Sequence, residues 1–218
     1  MPYFELNDHK ILFIHIPKTG GNSIKNYFLK KTNQISEHNL ISIKNKINKV
    51  CLEHQLLANI LNNNLKNMNK TLNLDTIYIL ENYNKIITVV RNPYYRIISH
   101  LFFTKMLNEN STIDDCTRAL VSRFDNYFKL ESCNDNHIRP QFEFIYDFNN
   151  DKLYDNIIIL KQETLNQDMQ NIGFTDFDIK VNNNKLNIDY NKYLSKINID
   201  LINVFYDKDF EYFGYVKM

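Results

Sequence analysis

The chain has 218 residues, enough for one domain with a sizeable core, and 44% of them are hydrophobic, which argues against wholesale disorder. Its formal net charge is +1, whereas general nucleic-acid binders and membrane-surface binders carry a strong basic excess. No apolar run approaches the roughly 18 residues of a membrane-spanning helix, and the first residues lack the pattern of a signal peptide. The sequence therefore predicts one soluble, cytoplasmic domain over residues 1–218.

A continuous apolar run near the start of the chain, Ile11 to Ile16, predicts a buried strand. A glycine-containing turn follows it, and an amphipathic helix then continues to about Lys31. The turn consists of Pro17, Lys18, Thr19, Gly20, Gly21, Asn22 and Ser23. Backbone N–H groups in such a turn form a concave nest, and the N-terminus of the helix adds a partial positive charge. With the ammonium group of Lys18 at its mouth, this turn predicts a phosphate or sulfate cradle.

A second β-branched run, Ile86 to Val90, predicts another buried strand, and Arg91-Asn92-Pro93 ends it. Pro93 suits the first turn of a helix, and Asn92 can cap that helix. The other predicted elements are helices at 52–61, 117–130, 162–172 and 190–213, a strand at 157–160, and polar connections at 62–75, 132–137 and 182–189. Strands that alternate with helices predict a parallel sheet covered on both faces, with ligands bound beyond the carboxyl ends of its strands.

The turn after the first strand differs from the ATP/GTP P-loop, because the P-loop signature GxxxxGK[ST] places its lysine after the last glycine. Here Lys18 precedes both glycines. The pattern PKTGG-x-S resembles instead the 5′-phosphosulfate loop of sulfotransferases that use 3′-phosphoadenosine 5′-phosphosulfate (PAPS), most closely the carbohydrate O-sulfotransferase branch. Asn22 stands where that family usually has Thr or Ser. The resemblance implies that the turn from Pro17 to Ser23 binds PAPS.

The segment VVRNPYYRIIS, from Val89 to Ser99, supplies a second motif at the same predicted edge of the sheet. An arginine can bind a phosphate bidentately, and Ser99 can donate a hydrogen bond from the polar face of the following helix. The segment resembles the family's 3′-phosphate motif, an Arg-x-Pro triplet followed by Ser at this spacing. The resemblance implies that Arg91 and Ser99 hold the 3′-phosphate that distinguishes PAPS from ATP.

The distal half of the chain resembles the same family more loosely. The run His137-Ile138-Arg139-Pro140-Gln141 resembles a His-x-x-Pro-Gln element, and the ending KDFEYFGY resembles the family's usual C-terminal helix. From this run we predict that His137, Arg139 and Gln141 contact the acceptor or the cofactor. The resemblance also implies the fold: a P-loop-NTPase-like, three-layer α/β fold with a central, mainly parallel sheet flanked by helices.

The general base of the reaction is the hardest residue to assign from sequence. His54 lies between the two cofactor motifs at the start of a predicted helix, where the family often carries a His that serves as base. Glu53 beside it is the alternative, because some sulfotransferases use a carboxylate. The three cysteines, Cys51, Cys116 and Cys133, are odd in number and far apart, and we recognise no cluster at zinc spacing. We therefore predict reduced, structural thiols and no metal.

These residues together predict an enzyme that moves a sulfuryl group from PAPS to an acceptor hydroxyl by in-line transfer and leaves PAP as product. Lys18 would stabilise the charge on the bridging oxygen, and the base would take the hydroxyl proton. The resemblance suggests a carbohydrate acceptor, and a small metabolite is also consistent with it.

Two other functions stay open from the sequence. One is a PAPS- or PAP-binding protein that has lost the base. The other is a nucleotide or polynucleotide kinase, which needs a lysine after the glycines and an Asp for Mg²⁺. Arg91 stands where that Asp would be expected, which counts against a kinase.

Overall fold

A computed structural model describes residues 1–6, 9–32, 46–47, 50–61, 80–129, 135–178 and 188–218. Its strands are β1 (Tyr3–Leu6), β2 (His9–Ile14), β3 (Lys46–Ile47), β4 (Val50–Cys51), β5 (Lys85–Val90), β6 (Tyr146–Asp147), β7 (Lys152–Leu153) and β8 (Ile157–Lys161). Its α-helices are α1 (Gly21–Lys31), α2 (Leu57–Leu61), α3 (Pro93–Phe103), α4 (Ile113–Phe128), α5 (Leu165–Asn171), α6 (Lys196–Phe205) and α7 (Asp207–Phe213). Short 3-10 turns lie at Leu52–His54, Leu80–Asn82, Phe142–Ile145, Gln162–Thr164 and Tyr190–Tyr193.

The central sheet has the strand order β1-β2-β5-β8. Strands β2, β5 and β8 are parallel neighbours, with Ile14 opposite Thr88 and Ile86 opposite Ile157, whereas β1 pairs antiparallel with β2. The prediction of a mainly parallel sheet flanked by helices is therefore confirmed. The sequence did not reveal β1, because its four residues are too few for a periodic pattern to stand out.

Apolar residues cover both faces of the sheet, because successive side chains of a strand point to opposite faces. On one face Leu12 and Ile14 of β2 join the cluster of Phe144, and on the other Ile11 and Phe13 join the cluster of Phe28 in α1. This two-sided burial explains why β2 and β5 read as continuous apolar runs in the sequence. A third cluster joins α3, α4, α6 and α7 beyond the sheet.

Several predicted helix boundaries were wrong, and side-chain caps explain two of them. Helix α4 begins four residues earlier than predicted, because Thr112 and Asp115 form a capping box in front of it. The predicted closing helix is divided into the Tyr190–Tyr193 turn, α6 and α7, and the Ser195 side chain caps α6. Near residue 54 the predicted helix is a 3-10 turn followed by the short α2.

Parts of the three predicted polar connections lie outside the described residues. These parts are the whole of 62–75, residues 132–134 of the connection at 132–137, and residues 182–187 of the connection at 182–189. Among the residues that are described, no helix has the length and apolar character needed to cross a membrane.

Candidate functional site

The turn after β2 and the end of β5 lie next to each other. Because β2 and β5 are parallel neighbours, their carboxyl ends reach the same edge of the sheet. The Arg91 guanidinium, just past β5, donates a hydrogen bond from Nη1 to the Lys18 carbonyl oxygen at 3.3 Å. The structure therefore brings the two predicted anion-binding motifs together.

The backbone of the turn is held in its concave shape by a few specific interactions. Lys18 and Gly20 have left-handed backbone angles, with φ of 68° and 89°. The buried Thr19 hydroxyl donates to the Ile16 carbonyl at 2.8 Å, so this side chain supports the turn from inside. A Cβ atom added at Gly21 would lie 2.2 Å from the His15 ring, so only glycine fits there. Asn22 is exposed and Ser23 half-buried in the first turn of α1, whose leading N–H groups have few intrahelical partners.

Lys18 and Arg91 make this edge of the sheet electropositive. Burial, together with the neighbouring Arg91 charge, lowers the pKa of Lys18 to about 8. The ammonium group lies 4.2 Å from the centre of the Phe103 ring, and the Arg91 Nε atom is buried without a hydrogen-bond partner among the described residues. Neither cation forms an ion pair with a carboxylate in that part of the chain. Two partly buried cations without a counter-charge favour binding of an anion.

A fully buried arginine, Arg96 of α3, ties the turn to the segment that carries the predicted acceptor residues. Its Nε donates to the Pro17 carbonyl at 3.0 Å, and its two terminal nitrogens donate to the carbonyls of Arg139 and His137 at 2.9 and 3.1 Å. Ser99 lies one helical turn further along α3 and is 8% exposed. The sequence does not reveal this role of Arg96, because it depends on carbonyl groups that lie more than 40 residues away along the chain.

His54, the predicted base, is held by a carboxylate that comes from a distant part of the chain. Its Nδ1 lies 2.8 Å from Oδ2 of Asp135, so in the tautomer with the hydrogen on Nδ1 the other ring nitrogen, Nε2, is an acceptor. Burial works against ionisation of Asp135, but its bonds from His54 and Cys51 outweigh this effect and lower its pKa to about 2. Asn136 donates from its amide nitrogen to the His54 carbonyl at 2.8 Å. The arrangement is a carboxylate–imidazole pair of the kind that acts as a general base.

Glu53, the alternative base, is engaged in a different set of contacts. Its Oε1 atom lies 2.5 Å from Nδ1 of the buried His15 and 2.8 Å from the Lys25 ammonium. Burial favours the neutral form of Glu53, yet these two partners hold its pKa well below the usual range. A carboxylate that is held by two partners and has so low a pKa is a weak base, which counts against Glu53 as the base.

A row of rings joins Lys18 to His54. The Lys18 ammonium lies over the Phe103 ring, and the Phe103 ring stacks on the His137 ring with centres 5.4 Å apart. The His137 ring in turn contacts the His54 ring edge-to-face, with centres 5.0 Å apart. Burial, as the main cause, lowers the pKa of His137 to about 3, and therefore this imidazole is neutral. Its Nδ1 is buried and has no hydrogen-bond partner among the described residues. The predicted lysine, base and acceptor histidine thus form one contiguous site.

The other two predicted acceptor residues are placed differently. Arg139 pairs with Glu143 and donates from Nε to the Asn136 side chain at 3.2 Å. Gln141 is fully buried, and its amide both accepts from the Arg91 backbone N–H and donates to the Arg91 carbonyl, each at 2.9 Å. Gln141 therefore positions the backbone of Arg91, and its side chain has no exposed surface.

A sequence model described as the sulfotransferase family matches residues 2–216, which is nearly the whole chain. No curated protein and no solved structure gives a significant match. Because the match spans both anion-binding motifs and the His54 segment, it covers every part of the site.

Proposed function

Because the chain belongs to the sulfotransferase family, we propose that it transfers a sulfuryl group from PAPS to a hydroxyl group of a carbohydrate or small-molecule acceptor. The observation that carries the proposal is the pairing of Lys18 with Arg91 at one sheet edge, with the His54–Asp135 pair nearby. We also propose that the layers around the parallel sheet follow the P-loop-NTPase-like arrangement, and that residues 1–218 act as one domain.

The donor side of the proposed site is built from two anion contacts. The N–H groups of the Pro17–Ser23 turn and the Lys18 ammonium would bind the 5′-phosphosulfate, and Arg91 with Ser99 would bind the 3′-phosphate. The fit rests on the Arg91 Nε atom, which is buried and has no hydrogen-bond partner in the described part of the chain, and on the pKa of Lys18, which a bound anion would raise again. PAPS supplies the sulfuryl group and leaves as PAP.

The chemistry asked of the chain is charge stabilisation and one proton transfer. Lys18 would neutralise the charge that grows on the bridging oxygen as the bond to sulfur breaks. His54 Nε2 would take the proton of the acceptor hydroxyl as that oxygen bonds to sulfur, and Asp135 would stabilise the imidazolium that results. Such a general base contributes about 10²–10⁴-fold to a rate.

The acceptor would lie between His54 and Lys18, next to His137 and Phe103. Phe103 is 61% exposed and offers a flat apolar ring, which suits the face of a sugar or of another ring-shaped alcohol. Arg139, through Glu143 and Asn136, would hold the loop that presents His137. A screen with ³⁵S-labelled PAPS against glycans, phenols and other alcohols would identify the acceptor class.

Donor binding is the first test of this proposal. PAP at 100 times its Kd should raise the melting temperature by about 5–10 °C, because ligand binding at that concentration stabilises the folded state by about 2.7 kcal/mol. The variant Lys18→Met should weaken PAP binding by about 10–100-fold, as expected for a lost charged hydrogen bond. Lys30→Met, an exposed charge change in the last turn of α1, is the matched control and should bind PAP normally. A shift by ATP–Mg²⁺ without any shift by PAP would reject the sulfotransferase and favour a kinase.

A further inference from the structure

Three side chains of different chemistry converge beside the proposed base. Cys51 Sγ lies 3.2 Å from His54 Nδ1 and 3.1 Å from Asp135 Oδ2, and these last two atoms are 2.8 Å apart. The sequence does not indicate the contact between Asp135 and His54, since these residues are 81 positions apart. A thiol, an imidazole and a carboxylate within this distance could together hold a metal ion.

We propose that Cys51, His54 and Asp135 bind a zinc ion. Zinc accepts sulfur, nitrogen and oxygen ligands at about 2.0–2.3 Å, so three ligands of a tetrahedral site lie about 3.3–3.6 Å apart. The observed triangle needs to open by only a few tenths of an ångström to hold the ion. Water would complete the fourth position, as in other sites with three protein ligands.

The charges of the group also suit a divalent cation. On binding, zinc forms bonds to Sγ, Nδ1 and the carboxylate oxygen, the Cys51 thiol releases its proton to solvent, and the Nδ1 proton of His54 moves to Nε2. The thiolate and the carboxylate then carry two negative charges, which balance the ion. Because one proton leaves for each ion bound, the reaction requires no oxidant or reductant.

The neighbouring groups hold the ligands in place. The Cys51 N–H donates to the other Asp135 oxygen at 2.6 Å, and Asn136 donates to the His54 carbonyl at 2.8 Å. Outer contacts of this kind orient ligands toward a metal. The second group of described residues with ligating atoms in range, His15, Glu53 and His54, is a poorer site, because the Lys25 ammonium already occupies the Glu53 oxygen.

Zinc at this position would inhibit sulfuryl transfer. With the metal on Nδ1, the Nε2 atom of His54 carries a hydrogen and can only donate, so it cannot accept the proton of the hydroxyl group. Donor binding at Lys18 and Arg91 would be unaffected. This inhibition rests on the proposed sulfotransferase function, whereas zinc binding itself does not.

Cobalt(II) provides a direct probe of the site, because a Co²⁺–thiolate bond produces a charge-transfer absorption in the near ultraviolet. The chelator-treated full chain should bind one Co²⁺ with this absorption, and one equivalent of Zn²⁺ should remove it. Cys51→Ala should abolish the absorption and weaken Zn²⁺ binding by more than about 100-fold, since even an outer-shell loss costs about 10–100-fold. Asp135→Asn should weaken Zn²⁺ binding while it retains the absorption. Cys116→Ala, at a buried cysteine of α4, is the control and should behave as the wild type.

Two outcomes would overturn the zinc site. One is a Co²⁺ absorption that survives in Cys51→Ala or that is lost in Cys116→Ala or Cys133→Ala, and the other is a stoichiometry well below one. The melting-temperature shift with PAP is measured on the same samples, so failure of zinc binding and failure of the donor site are separate results.

Inhibition by zinc is measured as the rate of sulfuryl transfer with zinc divided by the zinc-free rate of the same protein. This ratio should fall at least tenfold in the wild type and stay near one in Cys51→Ala, and equal inhibition of both would contradict the role of this site.

Discussion

The donor turn and the His54 site are neighbours, but the chain builds them in different ways. The donor turn is a continuous stretch, Pro17 to Ser23, whose shape is set by its own backbone angles and by the Thr19 hydroxyl. The His54 site depends on contacts to Asp135 and His137, more than 80 residues further along the chain. Continuous stretches give recognisable motifs, whereas sites assembled from distant segments show only scattered residues. We expect variants of Arg96 and Gly21 to disturb folding, and variants of His54 to disturb only the chemistry.

Loss of the base should have the largest effect on the reaction. His54→Gln should lower the rate of transfer to the acceptor found in the screen by about 10²–10⁴-fold, because His54 is the proposed base and a glutamine amide cannot take the proton. PAP binding should change little, since His54 is outside the donor turn. His9→Gln, at an exposed position of β2, is the control and should keep the full rate. A wild-type rate in His54→Gln would remove His54 from the base role.

The link between the two regions, Arg96, should dominate stability. Arg96→Met removes the donor of the buried Pro17 carbonyl oxygen and of the partly buried carbonyl oxygens of Arg139 and His137, and it should lower the free energy of unfolding by about 3–5 kcal/mol. Arg118→Met, which removes a largely exposed arginine of α4, should change it by less than about 0.5 kcal/mol. Urea denaturation of both variants gives the comparison. Equal stability of the two would mean that Arg96 does not hold the turn and the 137–139 segment together.

Within the donor turn, the contact between Gly21 and His15 should be the next most costly to disturb. Gly21→Ala brings a methyl group into the His15 ring and should destabilise the protein by about 1–3 kcal/mol, as overpacking usually does. In a His15→Ala background, the same change should cost much less. The interaction energy from this double-mutant cycle, measured by urea denaturation, is the test. An additive cycle would show that the close approach to His15 is not what requires glycine.

The pH dependence of donor binding should give the smallest effect. The pKa of Lys18 is lowered to about 8, so its positive charge is present at pH 7 and is progressively lost at higher pH. The Kd of PAP should therefore rise by up to about tenfold between pH 7 and pH 9. Isothermal titration calorimetry at several pH values measures this change, and Lys18→Met should flatten it. A Kd that falls with rising pH would contradict the charge assigned to Lys18.

The proximity of the two anion-binding motifs could be predicted because their residues are close in sequence or end neighbouring strands. The β-branched runs predicted β2 and β5, and the carboxyl ends of parallel strands share one sheet edge, so Lys18 and Arg91 could be expected to lie together. The glycine pair showed where the backbone turns. Boundaries were less accurate, since caps such as Thr112 and Ser195 act through single hydrogen bonds that periodicity does not detect.

The contacts of the His54 site were predicted only in part. His54 could be proposed from its place between the motifs, but nothing in the sequence pointed to Asp135 as its partner. Cys51 and His54 are three residues apart, and that spacing is the only local signal of the shared ligand set. The His-x-x-Pro-Gln motif predicts that Gln141 contacts the acceptor, but the motif gives no sign that Gln141 is buried against Arg91 and Asp209.

By itself, the sequence determined the mainly parallel α/β sheet, the glycine turn after β2 and the residues proposed to bind anions. These features follow from short-range patterns, namely runs of buried side chains and backbone angles that only certain residues adopt. The tertiary structure alone decided which carboxylate holds His54, how Arg96 joins the turn to the 137–139 segment, and that Cys51 meets His54 and Asp135. Such contacts depend on how distant segments pack against each other, and a local pattern of residues does not predict that packing.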